Sequence, residues 1–100
     1  MYKMNERFKT GDFLRHFRRD LDKEGLDCLY VYVGMAKHTE TNEDLAIYKA
    51  LYGDGRIYAR PAKMFYEEID KEQYPEAKQT YRFEKADMED LKAIERMVTA

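Results

Sequence analysis

Two runs of alternating residues, 29–36 and 45–52, constrain the fold of this chain more than any other feature. Both are rich in β-branched and aromatic residues, and a polar segment separates them. In each run one set of alternate positions is mostly aliphatic, and the other carries tyrosine or a small residue. Because successive strand side chains point to opposite faces, this pattern predicts two antiparallel strands. We expect the aliphatic side to form the core and the tyrosine side to stay partly exposed.

Turn residues extend this pair of strands into a β-meander. Asn42 suits the left-handed position of the first hairpin turn, and residues 53–55, Gly-Asp-Gly, suit the second. Residues 57–60 predict a third strand, which Pro61 ends because proline donates no ladder hydrogen bond. One helical turn is expected at 62–65, with Pro61 at its first position.

The segments on either side of the meander predict three further elements. Residues 13–18 indicate a first strand with Phe13 and Phe17 in the core and Arg15 on their side. Residues 81–85 indicate a last strand, and 66–69 suit a short one. A helix is expected over 87–99, because apolar residues recur there at helical spacing and Asp87 and Asp90 suit a capping box.

These elements predict a mainly β (β+α) fold. We expect a small, SH3-like, strongly curved β-barrel of five or six antiparallel strands, with a C-terminal α-helix. The length of 100 residues predicts a single domain, 1–100, with the β core at 11–85 and the helix at 87–99.

Composition narrows the class of function. The net charge of −2 argues against nonspecific binding of duplex DNA, which needs a basic footprint. A single cysteine, Cys28, excludes an internal disulfide and favours a reducing, cytoplasmic compartment. No apolar run approaches the roughly 18 residues of a membrane span, so no membrane partner is expected.

The two histidines are the first candidate site. His16 lies on the predicted first strand and His38 in the first hairpin turn. With a carboxylate they suit a metal site or acid–base chemistry, and the third metal ligand would be Glu40, Glu43 or Asp44. Alternatively, both imidazoles are structural and bond to backbone groups, since their spacing matches no metal motif.

A second candidate is a basic and aromatic face. Arginine forks bind phosphates and tyrosines stack on bases, whereas acidic loops would weaken such a field. Separately, Arg60 suits a clamp for a carboxylate or phosphate at the barrel mouth, or a simple structural corner before Pro61. The residues of the face are Arg7, Lys9, Arg15, Arg18, Arg19, Tyr30, Tyr32, Tyr48, Tyr52, Tyr58 and Arg60.

Several motifs resemble one family. The runs RHF (15–17), AKHTET (36–41), YKALY (48–52) and RPAKMF (60–65) are similar to the bacterial and phage domain of unknown function numbered 1653. The resemblance extends from about Gly11 to about Lys85, with Asn42 where glycine is usual. It implies a compact β-rich domain and no established activity.

We therefore expect a non-catalytic binding module for an anionic ligand, a nucleic-acid strand or a protein segment, with no cofactor and no metal. The alternatives are a small hydrolase-like or metal-binding enzyme using His38 and Glu40 with His16, and a homo-oligomerisation module using the helix or an edge strand. The predicted ligand-binding residues are Arg15, His16, His38, Glu40, Tyr48 and Arg60.

Overall fold

The computed structural model describes residues 7–21 and 25–99. In these ranges the chain forms one antiparallel sheet of five strands and a C-terminal helix. The strands are β1 (Phe13–His16), β2 (Leu29–Lys37), β3 (Asp44–Ala50), β4 (Ile57–Pro61) and β5 (Phe83–Lys85). The helices are α1 (Ala62–Phe65) and α2 (Met88–Thr99), and a 3-10 turn, Phe17–Asp20, follows β1.

The predicted meander is confirmed. β2, β3 and β4 pair antiparallel in sequence order, and Asn42 has a positive φ of 62° in the first turn. The predicted α1 turn and C-terminal helix are also present. The Asp87 carboxylate accepts from the Asp90 amide at 2.9 Å and the Asp90 carboxylate accepts from the Asp87 amide at 3.0 Å, which is the expected capping box. The short strand at 66–69 is reduced to one bridge, Glu68 with Tyr81.

The sheet is strongly curved but does not close into a barrel. Its order is β4-β3-β2-β1-β5, and no ladder joins the outer strands β4 and β5 among the described residues. Tyr48 on β3 and Phe83 on β5 have ring centroids 5.1 Å apart, although three strand spacings of about 4.8 Å separate their strands along the sheet. The mainly β fold with its C-terminal helix is therefore confirmed, whereas the predicted SH3-like barrel is present only as an open, curved sheet.

The core lies on the opposite face of the meander from the one we predicted. The tyrosine side is buried, and the aliphatic side is only partly covered, with Val33 and Ile57 exposed. Small residues such as Ala46 and Ala50 leave room between the tyrosine rings for Phe65 and Phe83, which stack at 4.4 Å. A bulge after Tyr32 then shifts the alternation, so that Met35 packs against this core instead of sharing the face of Val33.

The tyrosine side can be buried because its hydroxyls find partners inside the fold. Tyr30 and Tyr52 share a hydrogen bond of 2.7 Å between their hydroxyls. The Tyr48 hydroxyl accepts from Arg60 Nε at 3.1 Å. A buried hydroxyl that is hydrogen-bonded carries little penalty, so the aromatic rings contribute their full apolar area to the core.

The predicted core face of β1 was also wrong. Leu14 is fully buried in the core, whereas Phe13 is 36% exposed. Phe17 is buried as predicted, but it belongs to the 3-10 turn and not to the strand. Arg15 points away from the core and meets three carboxylates, with Nη2 3.1 Å from Asp20, Nε 3.0 Å from Asp90 and Nη1 3.9 Å from Asp87.

A buried ion cluster of Arg15, Arg19, Asp20 and Asp90 attaches α2 to the sheet. Arg19 Nε donates to Asp90 at 2.7 Å, and Asp90 is fully buried. The same carboxylate thus caps α2 and neutralises two guanidinium groups beside β1. Removing it would leave buried charge without a partner, which makes Asp90 the residue that holds the helix in place.

Candidate functional site

A cleft of about 590 Å³ opens at the end of the sheet where β4 and β5 separate. It lies above the start of β2 and is closed on one side by the segment that follows α1. Three arginines line it: Arg18 from the 3-10 turn, Arg60 from β4 and Arg82 immediately before β5. We call these three residues and His16 the arginine cleft.

Two of the three guanidinium groups have no acidic partner among the residues that the structure describes. Within the ranges 7–21 and 25–99, no carboxylate lies within ion-pair distance of Arg18 or Arg60. Arg60 is held by Tyr48, and Arg18 Nη2 donates to the Tyr74 hydroxyl at 3.4 Å. Arg82 differs, because it pairs with Glu67 and donates to the Met64 carbonyl at 3.1 Å. In the described part of the chain, two cations at this cleft therefore have neutral partners only.

His16 lies among the three arginines as a neutral imidazole. Its Nδ1 accepts from the Arg18 amide at 3.1 Å, which places the ring proton on Nε2. Burial, and after it the positive charges of the three cleft arginines, lowers the pKa of His16 from 6.5 to about 3. Nε2 makes no hydrogen bond to any described residue, although the residue is nine-tenths buried. At neutral pH His16 therefore offers one N–H donor to whatever occupies the cleft.

Aromatic rings form the walls. Phe17 and Tyr74 pack with centroids 4.7 Å apart on the side of Arg18. Tyr30 and Tyr52 line the other side, beside Cys28. Burial, and after it the hydrogen bond that its hydroxyl shares with Tyr52, raises the pKa of Tyr30, and burial also raises the pKa of Tyr52. These phenols stay neutral at physiological pH and serve as apolar walls with polar tips.

The rim of the cleft is acidic. Glu67, Glu68 and Asp70 line it from the segment that follows α1. Glu67 is paired with Arg82, and Asp70 accepts from the Glu72 amide at 3.0 Å, which stabilises the local turn. The cleft thus has cations and one imidazole N–H among aromatic walls, with carboxylates at one edge.

The structure brings together only part of the predicted site. His16 and Arg60 line the same cleft, and Tyr48 holds Arg60. His38 and Glu40 lie beyond the far end of β2, whose nine residues span roughly 27 Å at about 3.3 Å each. The two histidines therefore do not form the predicted neighbourhood.

His38 instead stabilises its own turn. Its Nδ1 accepts from the Glu40 amide at 3.1 Å and the Thr41 amide at 3.3 Å. This is the structural alternative considered for the histidines. Arg15 is equally occupied, because Asp20 and Asp90 hold it on the other side of β1. No group of three or more metal-ligating side chains occurs among the described residues.

Sequence reasoning missed Arg82, Tyr74 and Cys28 as residues of this site. Arg82 and Tyr74 lie in a region of 66–82 that is mostly irregular and has no periodic pattern, so nothing local indicated which way they point. Arg18 was part of the predicted basic face, but Arg19, beside it, is instead committed to the ion cluster. Only the fold separates these two neighbours.

No helix in the described part of the chain is long and apolar enough to cross a membrane.

A comparison with known families identifies the family of the chain. The family described as "Protein of unknown function (DUF1653)" matches residues 12–85, which include all five strands. The chain belongs to this family, as the sequence motifs indicated. Neither the curated proteins nor the solved structures that were searched contain a match.

Proposed function

We propose that this domain is a binding module whose arginine cleft holds a small anionic ligand. One observation carries the proposal: two guanidinium groups that have no carboxylate partner among residues 7–21 and 25–99, and a His16 N–H that has no acceptor in the same ranges, line one cleft. Arginine groups bind carboxylate and phosphate through charge-assisted hydrogen bonds, which strengthen where water is excluded. Of the six predicted ligand-binding residues, the proposed site contains His16 and Arg60, with Tyr48 as the residue that positions Arg60.

Binding is favoured over catalysis by the state of His16. A general base needs a pKa near the operating pH, whereas that of His16 is about 3. At pH 7 this imidazole donates a hydrogen bond and does not accept a proton. The enzyme alternative built on His38 and Glu40 has no support from the geometry, because β2 separates them from His16.

The acidic rim favours a compact anion over a nucleic-acid strand. A strand that passed over Glu67, Glu68 and Asp70 would bring its phosphates against carboxylates, and like charges repel. A single anionic group held between Arg18 and Arg60 avoids this repulsion. The lone cysteine supports a reducing, cytoplasmic setting for this function.

The test is an amide-resolved NMR titration with sodium phosphate at constant ionic strength. We expect shifts at residues 16–18, 60 and 82, and at least a fivefold loss of affinity in Arg60→Gln. The matched control is Arg56→Gln, which removes an exposed arginine paired with Asp54 in the turn before β4. If phosphate moved no resonance of the cleft, or if both variants lost affinity equally, the proposed site would be wrong.

A second candidate function is contact with another protein through α2. Met88, Leu91 and Met97 are exposed on this helix, and large exposed apolar side chains cost solubility unless something covers them. This observation supports the homo-oligomerisation alternative. Light scattering on the double variant Met88→Lys, Leu91→Lys tests it: a dimer of the unmodified chain should become monomeric, and an unchanged mass would exclude α2 as its interface. Deleting α2 is a poorer test, because it would strand Arg15 and Arg19 without Asp90.

A further inference from the structure

We infer that the ligand of the arginine cleft is a 5′-phosphorylated nucleotide, with its phosphate among the arginines and its base against the tyrosine walls. This inference rests on the proposed function and names the class of anion. The shared chemistry is a phosphate monoester carried by a sugar with a planar heterocycle. A free mononucleotide and the 5′-terminal nucleotide of a short strand both present it.

The arginines and His16 fit a phosphate monoester better than a carboxylate. Three residues that carry donors line the cleft from different elements: Arg18 from the 3-10 turn, Arg60 from β4 and His16 from the end of β1. A carboxylate presents two oxygens in one plane, and one arginine fork satisfies both. A phosphate monoester presents three terminal oxygens in a pyramid, which accepts donors that converge from several directions.

The aromatic walls of the cleft can stack with a planar base, which inorganic phosphate lacks. Tyr52 and Tyr74 are both half-buried and line the cleft, on the sides of Tyr30 and Phe17 respectively. A partly open aromatic ring in a cleft of about 590 Å³ can stack with a planar base, and the volume is in the usual range for small-ligand sites.

The acidic rim of the cleft also fits a nucleotide. A nucleotide carries donors as well as a charge, namely its ribose hydroxyls and the exocyclic amine of adenine, cytosine or guanine. Glu68 and Asp70 are exposed carboxylates at the edge of the cleft and accept such donors. A purely anionic ligand of the same size would be repelled there. The distribution of charge therefore favours a ligand with an anionic end and a donor-bearing end.

The experiment is isothermal titration of the whole chain with three probes: adenosine 5′-monophosphate, adenosine and sodium phosphate. We expect the monophosphate to bind at least tenfold more tightly than phosphate or adenosine alone. Tyr52→Leu should weaken the monophosphate about 5- to 50-fold, as loss of a stacking partner does, and leave phosphate affinity within about twofold. Tyr74→Leu should weaken both probes, because the Tyr74 hydroxyl also accepts from Arg18. The matched control is Tyr81→Leu, whose ring lies over Arg7 outside the cleft.

The outcomes separate the two proposals. If phosphate binds and the monophosphate binds no more tightly, the nucleotide assignment is overturned and the anion site stands. If neither binds, the proposed function fails and the nucleotide assignment fails with it. A 5′-phosphorylated tetranucleotide then identifies the source: affinity equal to or above that of the monophosphate indicates a strand end, and a large loss indicates a free nucleotide.

Discussion

Replacing Asp90 with asparagine should lower the free energy of unfolding far more than the same replacement at the exposed Asp44. The side chain is fully buried, 3.0 Å from Arg15 Nε and 2.7 Å from Arg19 Nε. Asparagine keeps the shape but removes the charge that neutralises two guanidinium groups. Breaking a buried ion pair from one side costs about 3–5 kcal/mol, because the remaining charge has no partner.

The contacts that remain place the cost in the lower part of that range. Arg15 keeps Asp20 at 3.1 Å and Asp87 at 3.9 Å, and among the described residues Arg19 keeps the Asp27 carbonyl at 2.8 Å. We therefore expect a loss of about 3–4 kcal/mol in the free energy of unfolding, out of a total of about 5–15 kcal/mol for a domain. Urea-induced unfolding, followed by far-UV circular dichroism at pH 7, measures this loss.

The control applies the same substitution to an exposed ion pair. Asp44 lies 2.7 Å from Lys37, and both side chains are more than half exposed, so Asp44→Asn should cost about 0–1 kcal/mol. The double variant Arg19→Met, Asp90→Leu should be more stable than Asp90→Leu alone, since it leaves one fewer buried charge without a partner. If Asp90→Asn fell within about 1 kcal/mol of Asp44→Asn, the ion cluster would not hold the helix as we describe.

Three further predictions follow from the same structure. The pKa of His16 is about 3 in the folded chain and 6.5 in the unfolded one, so the unfolded state binds more protons between these two values. The free energy of unfolding should therefore fall as the pH drops below 6.5, by up to about 1.4 kcal/mol per pH unit. Urea unfolding at pH 7.5, 6 and 5 should show a smaller dependence on pH for His16→Gln than for the unmodified chain. Leu14→Ala should lower the free energy of unfolding by about 2–5 kcal/mol, and Phe13→Ala should lower it by less than half as much. If Phe13→Ala cost more than Leu14→Ala, the face of β1 predicted from the sequence, with Phe13 in the core, would be correct. Asn42→Gly should be nearly neutral and Asn42→Val should cost about 1–2 kcal/mol, because the positive φ there penalises a β-branched side chain; equal stability of the two variants would argue against this turn.

The fold could be predicted where local chemistry decides it. Asn42 and Gly53 mark turns, because few other residues adopt positive φ at low cost. Asp87 and Asp90 mark the start of α2, because their carboxylates satisfy exposed amide groups. Each of these signals acts within a few residues of its cause.

The candidate site was predictable only in part, because its residues come from distant segments. Arg60 and His16 were chosen as polar side chains on strands, and both line the cleft. Arg82 joins them from an irregular region, while His38 is kept away by the length of β2. Sequence spacing contains no information on these separations.

The sequence by itself determined the alternation of side chains along the strands, the turns between them and the C-terminal helix, since each depends on local backbone geometry. Which face of the sheet became the core was decided by the tertiary structure. Alternation places Tyr30 and Tyr48 together on one face but does not say that Tyr52 and Arg60 will satisfy their hydroxyls. Once those partners exist, burying large aromatic rings contributes more than burying the aliphatic side, and the tyrosine face turns inward. The same inward turn places Arg60 at the open end of the sheet, where the cleft forms.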